Sequence, residues 1–142
     1  MSKNNDHITK VIDIGARYGI HPSWKDFDSD INFYLIEADK NEVHRLNKKY
    51  SSYKNIKAYY YFICEKNNSS VIFNFRKNKA LSGSNPFTYE NIVLLKKSKT
   101  LQNNVLMKKK INTTSLDVFL SEKKIDIDFI KVDTEGNEHQ II

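Results

Sequence analysis

Three short stretches of this chain place acidic residues or glycines directly behind apolar runs. The first is Asp13-Ile14-Gly15-Ala16-Arg17-Tyr18-Gly19, and the second is Glu37-Ala38 at the end of INFYLIEAD. The third is Asp133-Thr134-Glu135-Gly136-Asn137-Glu138 behind DFIKV. A glycine after a strand lets the backbone turn tightly and approach a ligand with no Cβ in the way. The spacing here is G-x-x-x-G, whereas dinucleotide binders use G-x-G-x-x-G to rest a pyrophosphate on a helix N-terminus. Asp13 would repel a diphosphate, so a cationic or hydroxyl-bearing ligand suits this loop better and a nicotinamide dehydrogenase is disfavoured. A plain strand-to-helix turn explains the same residues.

Glu37 lies about 20 residues beyond the glycine loop, the distance at which an acidic residue ending the second strand of a nucleotide-binding fold takes ribose hydroxyls. A carboxylate accepts both hydroxyls of a diol, which a neutral side chain does less well. The alternative is a solvated strand-end carboxylate. In the third stretch, Asp133 ends a strand and can orient a substrate hydroxyl, act as a base, or meet a cationic group of a ligand. Glu135 is the second candidate for that role and His139 a distant third. Glu135 and Glu138 also suit the first turn of a helix, where carboxylates complement its positive end; this explains Glu138 better than Asp133. Two carboxylates are a thin site for a divalent cation, so no metal is assigned.

The elements that must position these residues follow from the apolar pattern. KVIDIGARYGI reads as a short strand (Val11, Ile12, Ile14) breaking into the glycine loop, and INFYLIEAD as a buried second strand. Asp39 and Glu42 have capping-box spacing, and Val43, Leu46 and Tyr50 then form one helical stripe. IKAYYYFIC is a third strand. VIFNFR alternates as a half-buried strand after the turn NNSS, which suggests a hairpin-like insertion around residues 56–76. VLMKKKI is a further short strand, exposed on one side. TTSLDVFLSEKK is a helix with a Thr or Ser cap and Leu116, Phe119 and Leu120 on one face, IDFIKVD is the last strand, and EGNEHQII should start a helix. Strands alternating with helices imply βαβ units and a parallel sheet, whose ligands sit beyond the carboxyl ends of the strands.

Composition narrows the function classes. With 142 residues, 39% hydrophobic and 28% charged, the chain suits one folded domain rather than a disordered segment. The net charge of +6 raises nucleic acid as a partner, but it comes almost wholly from Lys, and Arg occurs only at positions 17, 45 and 76. Nucleic acid is therefore not the expected partner. The single cysteine, Cys64, excludes an internal disulfide and a Cys-rich zinc site, and its apolar run suits a packed small side chain. Residues 1–8 read as a polar leader without a signal-peptide core, and no apolar run reaches membrane-spanning length, so a cytoplasmic location and no membrane partner are expected.

VIDIGARYG, FYLIEAD, and the SLDVFL helix entering IDFIKVDTEGNE together resemble the FkbM-type S-adenosylmethionine-dependent methyltransferases, from about residue 9 to the end. The T-S-L-D helix followed by D-F-I-K-V-D-x-E-G-x-E is the most specific part. The resemblance implies an α/β, Rossmann-like class I methyltransferase sheet of parallel order 3-2-1-4 over residues 9–142, with the C-terminal strands missing. It implies S-adenosylmethionine as cofactor, with Asp13, Gly15, Ala16, Arg17 and Gly19 beside its methionine part, Glu37 on the ribose, and Ala38 and Cys64 near the adenine. Ser82 and Ser84, in LSGSNPF, fall in a Ser-rich substrate-side loop. Asp133 and Glu135 are the catalytic candidates. The expected reaction is O-methylation of a hydroxyl on a sugar or small natural product, for which a glycan or small molecule is the acceptor. Arg17 departs from the family, where many relatives carry Asn; it is expected either to pair with Asp13 or Glu37 or to grip the cofactor's carboxylate.

A sheet ending at DFIKV would leave an apolar strand at a bare edge. The expectation is a truncated domain, or a second copy or partner chain covering the edge at residues 128–133. Two other functions stand beside the methyltransferase: a non-catalytic remnant serving as a binding or assembly module, and, less favoured, a nucleic-acid-binding or nucleic-acid-modifying protein.

Overall fold

In the computed structural model, which describes residues 8–22, 24, 30–77, 79, 82–84, 105–134 and 138–141, strands carry most of the regular structure. The chain order is β1 (Thr9–Ile14), β2 (Ile31–Glu37), α1 (Lys40–Lys49), β3 (Ile56–Tyr60), β4 (Phe62–Ile63), β5 (Ser70–Arg76), β6 (Val105–Thr114), α2 (Leu116–Lys123), β7 (Phe129–Val132) and a 3-10 turn at Glu138–Gln140. The described residues fall into two compact units. One is drawn from Met1–Tyr61 and Phe119–Asp133, the other from Phe62–Val118 and Thr134–Ile142.

The first unit is the parallel sheet β3-β2-β1-β7, the 3-2-1-4 order expected, with β7 in fourth place. Its register sets Asp13 beside Leu35 on one side and Lys131 on the other. Successive residues of β1 point to opposite faces, yet Val11, Ile12, Asp13 and Ile14 are all buried, as parallel sheets covered on both faces require. On one face Val11, Phe33, Leu35, Ile56 and Ala58 pack with Val43 and Leu46 of α1, and Trp24 and Tyr50 close the cluster. Full burial of each such Val, Leu or Ile contributes roughly 1.5–3 kcal/mol. Asn47 fastens α1 to β3, its side chain exchanging two 3.0 Å hydrogen bonds with the backbone of Ala58. Phe119 of α2 is fully buried and meets Tyr59 and Tyr61 edge-on, at centroid separations of 5.5 and 4.9 Å.

One local expectation is corrected here. Asp39 caps α1 through its own carboxylate, which accepts from Asn41 N at 3.0 Å, but no capping box forms: the Asp39 amide donates to Glu37 Oε1. β7, the strand expected to end the sheet, is half uncovered, with Phe129 56% and Ile130 44% exposed. Among the described residues it pairs with β1 alone.

The second unit holds a three-stranded sheet in the order β4-β6-β5, with β4 parallel and β5 antiparallel to β6. The hairpin expected over 56–76 is therefore not formed, because β3 joins the parallel sheet while β4 and β5 flank β6. Thr113 explains the arrangement: its hydroxyl donates to Lys66 O and accepts from Ser69 N, so the NNSS turn is stitched to β6 rather than closing on itself. Ser115 Oγ accepts from Val118 N at 3.4 Å, so Ser rather than Thr caps α2, and Thr113 and Thr114 end β6. Among the described residues no helix is long and apolar enough to cross a membrane.

Candidate functional site

The carboxyl ends of β1, β2 and β7 bring Asp13, Glu37 and Asp133 to the same edge of the sheet, where Arg17 faces Glu37 and Lys131 faces both Asp13 and Asp133. Glu37 ends β2 and is 5% exposed. Its Oε1 accepts from Asp39 N at 2.9 Å and faces Arg17 Nη2 at 3.5 Å. The same Arg17 nitrogen lies 3.7 Å from Asp39 Oδ2. Burial raises the Glu37 pKa above its usual value, while the Arg17 cation and the Asp39 amide oppose the shift. The Arg17 backbone is anchored to α1: Arg45 donates to its carbonyl and also to Glu42, at 2.6 Å. Of the two partners expected for Arg17, Glu37 is the one the fold provides, joined by Asp39.

Asp13 is taken by another cation. Lys131, its cross-strand neighbour, donates to Asp13 Oδ1 at 2.9 Å and lies 3.7 Å from Asp133 Oδ2. Desolvation raises the Asp13 pKa and Lys131 pulls it back. The two carboxylates thus differ in availability. Asp13 is enclosed and bonded, whereas the Asp133 side chain is 65% exposed and only loosely bridged. The Asp133 amide donates to Ile14 O at 2.9 Å, which ties the residue to the end of β1.

The glycine loop follows from two positive φ angles, 89° at Gly15 and 86° at Gly19. At Gly15 the left-handed turn lets two successive amides, Gly15 N and Ala16 N, donate to Ile36 O at 3.0 Å each, locking the loop onto β2. Gly19 serves packing within the fold. A Cβ there would collide with the Tyr50 hydroxyl, which itself accepts from Ile20 N at 3.0 Å. Ala16 is buried in the core, and Ala38 is half-buried beside Glu37.

The remaining sequence candidates lie elsewhere in the chain. Cys64, Ser82 and Ser84 belong to the second unit. Cys64 Sγ lies 3.9 Å from Gln140 Oε1, and Ser82 Oγ accepts from Arg76 N at 3.0 Å. Gly83, between the two serines, bridges to Asn74. Glu135 lies outside the described residues. Glu138 Oε1 accepts from Thr134 N at 2.8 Å. His139 sits exposed in the 3-10 turn. Sequence reasoning missed Lys131, Asp39 and Tyr50. Lys131 acquires its role from strand register, and the Tyr50 hydroxyl only from where α1 packs.

The edge therefore carries a buried carboxylate suited to a diol, an exposed carboxylate suited to a proton or hydroxyl, and a glycine turn between them. No curated protein and no solved structure matches the chain significantly. The Methyltransferase FkbM domain matches residues 13–142, from the buried aspartate of β1 through all three strand-end loops. The chain belongs to the FkbM methyltransferase domain family.

Proposed function

We propose that this methyltransferase-family chain uses S-adenosylmethionine to methylate a hydroxyl of a sugar or small natural-product acceptor. The observation that carries the reading is Glu37, a buried acceptor at the end of the second strand beside a glycine turn. The residues present fit such a cofactor. Glu37 matches a ribose diol, Ala38 leaves room for a base, and Gly15 opens the backbone. Arg17 Nη1, buried and without a hydrogen-bond partner among the described residues, is a spare donor for an anionic group. When bound, S-adenosylmethionine supplies a methyl group on a sulfonium whose positive charge is lost on transfer.

The chain's own part is positioning and proton management. Asp133, largely in solvent and close to Lys131, is the group placed to orient an acceptor hydroxyl and take its proton. Asp13 is held by Lys131 and serves as a fixed anion rather than as a base. An oxygen acceptor suits a carboxylate base because the hydroxyl needs its proton removed only as the new bond forms.

Isothermal titration of the chain with S-adenosylmethionine, repeated on Glu37→Ala, tests the proposal. Loss of the two diol hydrogen bonds to a charged acceptor should weaken binding at least about tenfold. Absence of binding to the wild-type chain, or equal affinity of the variant with its fold intact, refutes it.

A further inference from the structure

Arg17 is poorly satisfied where it stands. Its side chain is 9% exposed, yet its two carboxylate contacts, at 3.5 and 3.7 Å, exceed the roughly 2.7–2.9 Å of a well-made charge-assisted hydrogen bond. Both run through Nη2, and among the described residues Nη1 has no hydrogen-bond partner. A guanidinium that served only to neutralise Glu37 and Asp39 would be expected to use its planar fork, two N–H groups to one carboxylate. Here one arm is stretched between two acceptors and the other is idle. Its backbone, by contrast, is well fixed: the carbonyl is held by Arg45, and the neighbouring Ala16 amide by Ile36 O. The side chain alone is left to change partners.

We infer that Arg17 is a specificity-determining latch, which covers Glu37 in the free protein and turns to an anionic group of the ligand when a ribose diol takes Glu37. The inference rests on the cofactor reading above and adds to it: the site selects nucleosides that carry a carboxylate tail over nucleosides that do not. A diol alone must displace the guanidinium from Glu37 and leaves it only the 3.7 Å contact with Asp39. A ligand with both groups satisfies Glu37 with its hydroxyls and both arms of Arg17 with its carboxylate. Lys131 is not available for that task, since Asp13 already holds it at 2.9 Å.

The test is isothermal titration of the full chain with three ligands: S-adenosylmethionine, its decarboxylated form, and methylthioadenosine, which keeps the adenine and ribose but has no amino-acid tail. Wild type should prefer S-adenosylmethionine to the decarboxylated form by about tenfold or more, the worth of one charge-assisted pair. In Arg17→Met this preference should shrink to about threefold or less, and methylthioadenosine should bind more tightly than to wild type because no guanidinium has to leave. The second effect has the opposite sign from that of a merely structural arginine. Arg17→Lys, which keeps the charge and loses the fork, should fall between the two and serves if Arg17→Met does not fold. Equal affinity of wild type for S-adenosylmethionine and its decarboxylated form overturns the latch and leaves the cofactor reading standing. An unchanged preference in the folded variants also overturns it. Failure of all three ligands to bind wild type overturns the cofactor reading itself.

Discussion

Substituting Gly19 by Ala tests whether the second glycine of the loop is there for the fold. Two costs add. The residue sits at φ 86°, where an L-residue loses roughly 1–2 kcal/mol. The new Cβ would also meet Tyr50, colliding with its hydroxyl and lying 3.1 Å from two ring carbons. The ring cannot simply withdraw, because its hydroxyl accepts from Ile20 N and its body packs on the core cluster. Overpacking of this kind costs about 1–3 kcal/mol. The sum, roughly 2–5 kcal/mol, is a large share of the about 5–15 kcal/mol that stabilises a typical domain. It should lower the melting temperature by roughly 4–20 °C. Urea denaturation of Gly19→Ala, Tyr50→Ala and the double variant separates the costs. With the ring removed, Gly19→Ala should cost only its backbone share, so the two substitutions should couple by about 1–3 kcal/mol. A cost of Gly19→Ala below about 0.5 kcal/mol, or full additivity, refutes the packing role.

Lys131→Met should destabilise the chain by about 1–3 kcal/mol at neutral pH. This is below the about 3–5 kcal/mol of a fully buried broken pair, because Lys131 keeps 30% of its side chain exposed. The loss should shrink in acid, where a protonated Asp13 needs no cation, and Asp13→Asn should rescue it; denaturation at two pH values checks both. Burial raises the pKa of Asp13 and of Glu37 above their ordinary values of 3.8 and 4.5. The stability that their protonation contributes is therefore full below those values and is lost as pH rises through the higher folded values. Stability measured across that acidic window should carry this downward component with rising pH, and Asp13→Asn with Glu37→Gln should remove it.

Much of the first unit was legible from residue pattern. The apolar runs at Val11–Ile14 and Ile31–Ile36 can only be strands covered on both faces, and the helical stripe of Val43 and Leu46 supplies one cover. Glycine placement and the Glu37 spacing located the loops behind them, since only a strand end leaves a carboxylate near a turn. The second unit was less legible. The pairing of β5 with β6 joins residues 29 to 42 positions apart, and alternation within VIFNFR says that a strand is half-buried without saying which strand lies beside it. DFIKV is apolar, which marks it as a strand; its exposure depends on what lies next to it in the sheet.

By itself, the sequence determined which side chains could do chemistry and the parallel α/β plan that gathers them at strand ends, because hydrophobic period and glycine position are local properties. Only the tertiary structure decided who neutralises whom. Register put Lys131 beside Asp13 and left Asp133 in solvent; the turn into α1 delivered the Asp39 amide to Glu37, and the glycine loop behind β1 brought Arg17 to both carboxylates; and the packing of α1 set the Tyr50 hydroxyl against Gly19. Charge pairing acts over a few ångströms between groups up to 118 residues apart in the chain, a distance that folding alone can close.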